Sequence, residues 1–156
     1  FEIVGMNLEL NGVLKWTTNN EIGELPYKVQ QFKWNKWITI GEVAGMGRLS
    51  GNSYSFQAEL HSGRNTFRVA QYTSQGKLRY SENVYMNSAK TISLITELKK
   101  VNSVILFSDK TSYEIFDVYG RIVKHGYDST IEVKKLSNGQ YYLNYDKSFG
   151  SSFDKK

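Results

Sequence analysis

The side chains able to do covalent chemistry are few and scattered. His61 and His125 are the only histidines and fall in different halves of the chain. Cysteine is absent, which excludes disulfides, thiol catalysis and cysteine-ligated metal. Glu21 and Glu24 lie close together, but a lone carboxylate pair in a loop reads as solvated, and no Asp precedes Asp109 to build a calcium loop in the first half. No Gly-x-Ser-x-Gly elbow, His-Glu-x-x-His helix or phosphate-cradling glycine loop occurs. The expectation is a segment with no enzymatic activity, no cofactor and no metal. A catalytic or adhesive domain upstream is compatible with it.

Recognition chemistry is better represented. In Trp34-Asn35-Lys36-Trp37, a two-residue turn at Asn35–Lys36 would set Trp34 opposite Trp37, a platform for a sugar ring or a protein. The spacing Asp117-Val118-Tyr119-Gly120 reads as a type I turn. Asp in first place accepts backbone N–H groups, and Gly in fourth place takes positive φ and forms a bulge, before Arg121 starts the return strand. Gly139 permits a sharp bend into a strand on which Tyr141, Leu143 and Tyr145 share a face. Beyond it, Tyr145, Phe149, Phe153, Lys155 and Lys156 supply apolar anchors and charge for a partner, although the polar Gly150-Ser151-Ser152 run also suits a disordered terminus.

The elements that must position these residues are strands. Tyr, Phe, Val, Ile, Thr and Trp are plentiful, 13 glycines supply turns, and Pro26 is the only proline. Leu8 and Leu10 alternate with polar neighbours, and after an Asn11–Gly12 turn Leu14 and Trp16 share a face. Further strands read as 27–32, 37–43, 54–60, 65–73 and 78–86, the last two flanking a Ser74-Gln75-Gly76 turn. Asn87–Lys90 is small and polar and marks a boundary. A second series follows at 91–95, 103–108, 112–117, 121–125, 130–135 and 140–146, with a short last segment through Phe153. Leu94, Ile95, Leu98 and Val101 also fit one helical turn. The fold expected is all-β: two small antiparallel β-sandwich domains of immunoglobulin or fibronectin type in tandem, residues 1–88 and 89–156.

No stretch approaches the roughly 18 apolar residues of a membrane span. The net charge of +5 is spread over both halves rather than gathered on one face, so no nucleic-acid partner is expected. The sequence opens at Phe1 directly into strand pattern, without a signal segment, and reads as the tail of something longer.

Two segments carry a family resemblance. The first runs from Leu14-Lys15-Trp16-Thr17 through Ile40-Gly41, Asn65-Thr66-Phe67-Arg68 and Gly76-Lys77-Leu78-Arg79-Tyr80-Ser81. It is similar to the fibronectin-III-like module common near the C-termini of secreted Bacteroidota proteins. The second comprises Asp117-Val118-Tyr119-Gly120-Arg121-Ile122-Val123, then Ile131-Glu132-Val133, Leu136-Ser137-Asn138-Gly139-Gln140-Tyr141, and the Lys155-Lys156 end. It resembles the type A C-terminal sorting domain of the type IX secretion system. Members usually open with Tyr-Pro-Asn-Pro, where this chain has Ile92-Ser93-Leu94-Ile95-Thr96-Glu97.

The resemblance implies a non-catalytic targeting region, with Asp117, Gly120, Arg121, Leu136, Gly139 and Tyr141 as motif residues. Its partners would be the outer-membrane shuttle protein and translocon. Its cargo would be exported across the outer membrane to the cell surface or beyond, and a peptidase usually removes the domain. The missing proline motif motivates a different expectation, a resident accessory of the secretion or surface machinery that retains its sorting-like domain. A third is a carbohydrate-binding or adhesive module built on Trp34 and Trp37.

Overall fold

The structure, a computed structural model, describes every residue except Phe1, Ile22 and Ser74; the expected Ser74-Gln75-Gly76 turn therefore falls partly outside the described residues. The described residues form thirteen strands and no helix. They divide into two compact units, residues 1–60 with 64–88, and residues 61–63 with 89–156.

In the first unit, β1 (Glu2–Leu8), β2 (Val13–Asn19) and β5 (Asn52–Gln57) make one antiparallel sheet. A second sheet runs β4 (Lys36–Val43), β3 (Tyr27–Lys33), β6 (Gly63–Tyr72), β7 (Leu78–Tyr80), with β8 (Val84–Ser88) also on β6. Period-two alternation turns one face of each sheet inward. Leu14, Trp16 and Tyr54 meet Tyr27, Val29, Phe67 and Val69 in a closed core. The expected strand 78–86 is broken in two because Ser81 turns aside: its N–H donates to the Val69 carbonyl, and its hydroxyl accepts the Val69 N–H.

Leu10 does not continue the inward face of β1. It sits 84 % exposed in a four-residue turn, Glu9 to Gly12, where the Gly12 N–H donates to the Glu9 carbonyl and the Glu9 N–H to the Val13 carbonyl. The tryptophan hairpin is also displaced from expectation. Phe32 pairs with Trp37 and Lys33 with Lys36, so the loop is Trp34–Asn35. A two-residue turn of this hand needs positive φ at both positions, and Trp34 and Asn35 adopt 55° and 62°. Asn tolerates that conformation; Trp does not readily. Inward packing decides the register: Gln31 is buried, its amide donating to Asn65 Oδ1 at 3.1 Å, and shifting it would expel the whole face.

The second unit is one five-stranded sheet in the order β11 (Ile122–Glu132), β10 (Val104–Phe116), β12 (Gly139–Tyr145), β13 (Ser148–Lys155), β9 (Lys100–Val101). Four of the strands are antiparallel, but β13 runs parallel to β9, a pairing the sequence did not signal. The expected strands 103–108 and 112–117 fuse into β10, and 121–125 and 130–135 into β11. The register jumps between Leu106 and Thr111, and there the long ribbon folds over. Lys124 Nζ reaches the Glu132 carbonyl at 2.6 Å. Eight extended residues would separate them by roughly 26 Å, so β11 curls back on itself. Gly126 lies on the curl, and the Tyr113 hydroxyl stands 2.8 Å from where a Cβ would project. Ile105 and Phe107 from one end of β10 thus share a core with Tyr113 and Ile115 from the other, joined by Leu143 and Phe153. Residues 91–95 form no strand, and 94–101 no helical turn. They lie along β10 through a Leu94–Phe107 bridge and an Ile95 N–H to Leu106 carbonyl bond.

Candidate functional site

The turn following β10 is built by Asp117. Its Oδ1 accepts the N–H groups of Tyr119 at 2.9 Å and Arg121 at 3.0 Å, and its Oδ2 accepts Arg121 Nε at 2.8 Å. The Gly120 N–H donates to the Asp117 carbonyl, and Gly120 adopts φ 79°, which a Cβ would strain. Backbone donation from Arg121, reinforced by its guanidinium and the Tyr119 N–H, holds the Asp117 carboxyl below its ordinary range. The turn is rigid and its tip is apolar: Val118 is exposed, Tyr119 is 80 % exposed, and the Arg121 guanidinium lies 5.3 Å from the Tyr119 ring centre.

The other motif segment comes to the same end of the sheet. Phe116 pairs with Tyr142, and Tyr141 with Phe153. Leu136 packs against the core from a turn in which its N–H donates to the Val133 carbonyl. Gly139 opens β12 at φ 150°. Tyr141 is buried, stacks on Phe153 at 5.7 Å between ring centres, and donates its hydroxyl to the Ser137 carbonyl at 2.7 Å. Asp117, Gly120 and Arg121 therefore shape a surface, whereas Leu136 and Tyr141 hold the sheet beneath it.

The five residues expected to form a partner-binding tail do not act together. The segment is an ordered strand, not a disordered terminus, because β12 and β9 pair with its two edges. Phe153 is 2 % exposed, in the core, and Tyr145 packs against the same core. Lys155 is 5 % exposed, its ammonium 3.5 Å from Asn138 Oδ1. Burial removes Phe153 and Lys155 from direct contact with a partner while the strand stays in place, and Tyr145 is partly covered. Phe149 and Lys156 remain exposed.

The tryptophan platform is corrected as well. With the loop at Trp34–Asn35, Trp34 does not face Trp37; its indole is buried beneath the Lys33 ammonium, 4.5 Å from the ring centre. Trp37 instead meets Phe32 edge-on at 5.3 Å. The Arg68 guanidinium lies 4.0 Å from the Trp37 ring centre and 3.8 Å from that of Tyr80, and Arg68 Nε donates to Gln30 Oε1. The outer face of this sheet is an aromatic–cation stack rather than a tryptophan pair.

One polar cluster went unread in the sequence. Glu21, expected to be solvated, is 2 % exposed. Its carboxylate accepts the Thr18 hydroxyl at 2.7 Å and the Tyr54 hydroxyl at 2.7 and 2.8 Å, while Tyr54 accepts the Met46 N–H. Burial pushes the Tyr54 phenol up to about 12 and raises Tyr27 beside it. The inward step of Trp16 and Thr18 on β2 was the available signal: it carries the polar Thr into the core, where it needs a partner.

The chain is similar to solved structures of the central fibronectin-III array of RIM-binding protein (13% identity, TM-score 0.34, covering 97% of this chain and 59% of that one). It is also similar to chicken CNTN1 FN1-FN3 domains (15%, 0.30, 99% and 62%) and to Clostridium thermocellum CbhA fibronectin(III)-like modules (12%, 0.28, 98% and 88%). It thus spans less than two thirds of the first two. No curated protein matches the chain. Residues 83–156 match the family described as the secretion system C-terminal sorting domain.

Proposed function

We propose that the chain is a non-catalytic targeting region that takes a larger secreted protein through the type IX system by binding the outer-membrane shuttle and translocon. The match of residues 83–156 to the sorting family carries this reading. The Asp117 turn supports it physically, because a rigid exposed Val118–Tyr119 tip offers apolar contact with little ordering left to lose on binding. Deleting residues 147–156 is a poor test, since it removes β13 and the buried Phe153. The better one fuses the intact chain to a reporter in a type IX-competent host and replaces Val118 and Tyr119 by Ser. Secretion and shuttle capture by the parent, both lost in a variant that still melts normally, are the expected result. No secretion of the parent sinks the reading.

One observation favours a resident accessory that keeps its sorting domain. Where relatives carry a proline motif, Ser93, Ile95 and Thr96 are bonded to β10, and a protease needs an extended, detached segment. Mass spectrometry of the native protein separates the two: residues 89–156 present at steady state favour the resident, their loss the cargo.

A further inference from the structure

The curl of β11 leaves a concavity of about 260 Å³ lined by Ser103, Val104, Lys124, Glu132, Lys134 and Lys135. Three lysines and one glutamate are among its lining residues. Lys124 is fixed by its bond to the Glu132 carbonyl, so its charge is held at the wall rather than swung into solvent. The floor is equally defined, with the Val133 N–H donating to the Ser103 carbonyl and Val104 paired to Glu132. Among the described residues, Lys134 and Lys135 have no carboxylate within ion-pair distance. Like charges gathered round one cavity repel, and the arrangement is relieved when an anion enters.

We infer that this pocket binds a phosphoryl group. The charge decides between anions: three lysines against one glutamate leave an excess of two, which a phosphate monoester, carrying about −1.5 to −2 at neutral pH, balances and a single carboxylate does not. The donors are compatible with this, because lysine ammoniums meet phosphate as point charges. The Ser103 hydroxyl adds a neutral donor at the rim. The phosphoryl group could be carried by a soluble molecule or by a lipid headgroup. The pocket is independent of the Val118–Tyr119 tip, so it stands or falls apart from the sorting reading.

The test uses the full chain at about 0.15 M salt, where long-range attraction is screened. Pyrophosphate is titrated while the amide resonances of Ser103, Val104, Lys134 and Lys135 are followed. In parallel, flotation is measured with phosphatidylcholine vesicles, with and without phosphatidic acid. The comparison protein is Lys134→Gln/Lys135→Gln, with Lys15→Gln/Lys77→Gln as a charge-matched control. Saturable shifts at those four amides, weakened roughly tenfold or more by the pocket variant and unaltered by the control, are expected. Pyrophosphate binding assigns a soluble phosphate; binding confined to phosphatidic acid vesicles, with the same variant dependence, assigns a headgroup. Equal binding by the two variants, or no saturable response in either arm, overturns the inference.

Discussion

At the centre of the N-terminal unit three rings pack together, Trp16 on Tyr54 at 5.4 Å and Tyr27 against both, and the phenols lie beside a buried carboxylate. At the centre of the C-terminal unit Tyr141 stacks on Phe153, and the polar end of Tyr141 leaves the core for a turn carbonyl. The first core is closed by two sheets and holds its polar group inside. The second is closed by its last strand and sends the hydroxyl of its central tyrosine out to a turn. The difference places the weak points of the units apart: one is sensitive to the protonation and partners of buried hydroxyls, the other to the seating of a strand.

The sharpest break of that contrast is Phe153→Ala. Removing a buried ring should cost the C-terminal unit ~3–5 kcal/mol, read as a fall in its denaturant midpoint and early exchange of the β12 and β13 amides. Protection of Trp16 and Val69 should be unchanged. In the other unit, Tyr54→Phe leaves Glu21 and the Met46 N–H each short of a partner, at about 1–3 kcal/mol. A loss near zero would mean that the hydroxyl cluster does not hold this core.

Alkali should separate the units next. Tyr54 is raised from 10.0 to about 12, and Tyr27 is raised further. Neutral phenols are therefore favoured by folding, and their contribution is complete below pH 10 and lost as the pH climbs through the folded values. Tyr113 is raised in the C-terminal unit by burial first and the Asp128 charge second, but it is one phenol against two. Thermal melts above pH 10 should show the N-terminal transition falling faster. Asp117→Asn should have the smallest effect. With its carboxyl held below the ordinary 3.8, the wild-type turn is tightest above that pH and loosens as acid protonates it. The variant should abolish this acid dependence of Tyr119 and Arg121 amide exchange while leaving the melting temperature close to the parent's.

How much was legible follows the same divide. The strand alternation of Leu14 and Trp16, and the Asp117–Gly120 spacing, are local, and local rules read them. The same backbone recurs where the first residue is less telling. The Thr73 N–H donates to the Lys77 carbonyl, and Thr73 Oγ1 accepts the N–H groups of Gln75 and Lys77, as the Asp117 carboxylate does two and four residues on. Glu9 to Gly12 repeats it again, with Asn11 Oδ1 accepting the Val13 N–H. The Trp34 turn escaped because packing of Gln31, far from the loop, set the register against turn preference. Glu21 escaped because its partners, Thr18 and Tyr54, come from two strands. The parallel β9–β13 pair and the curl of β11 are relations between distant residues that no single segment encodes.

That parallel pair also orders events in time. Lys100 cannot find its neighbour until Asp154 has been made, so during synthesis β9, β10, β11 and β12 all precede the strand that joins the first of them to the last. Until then β12 presents an open edge and Leu143 lacks a covering neighbour. This unit thus stays loosely assembled until β13 is made, and its closure reports that translation has run through that strand.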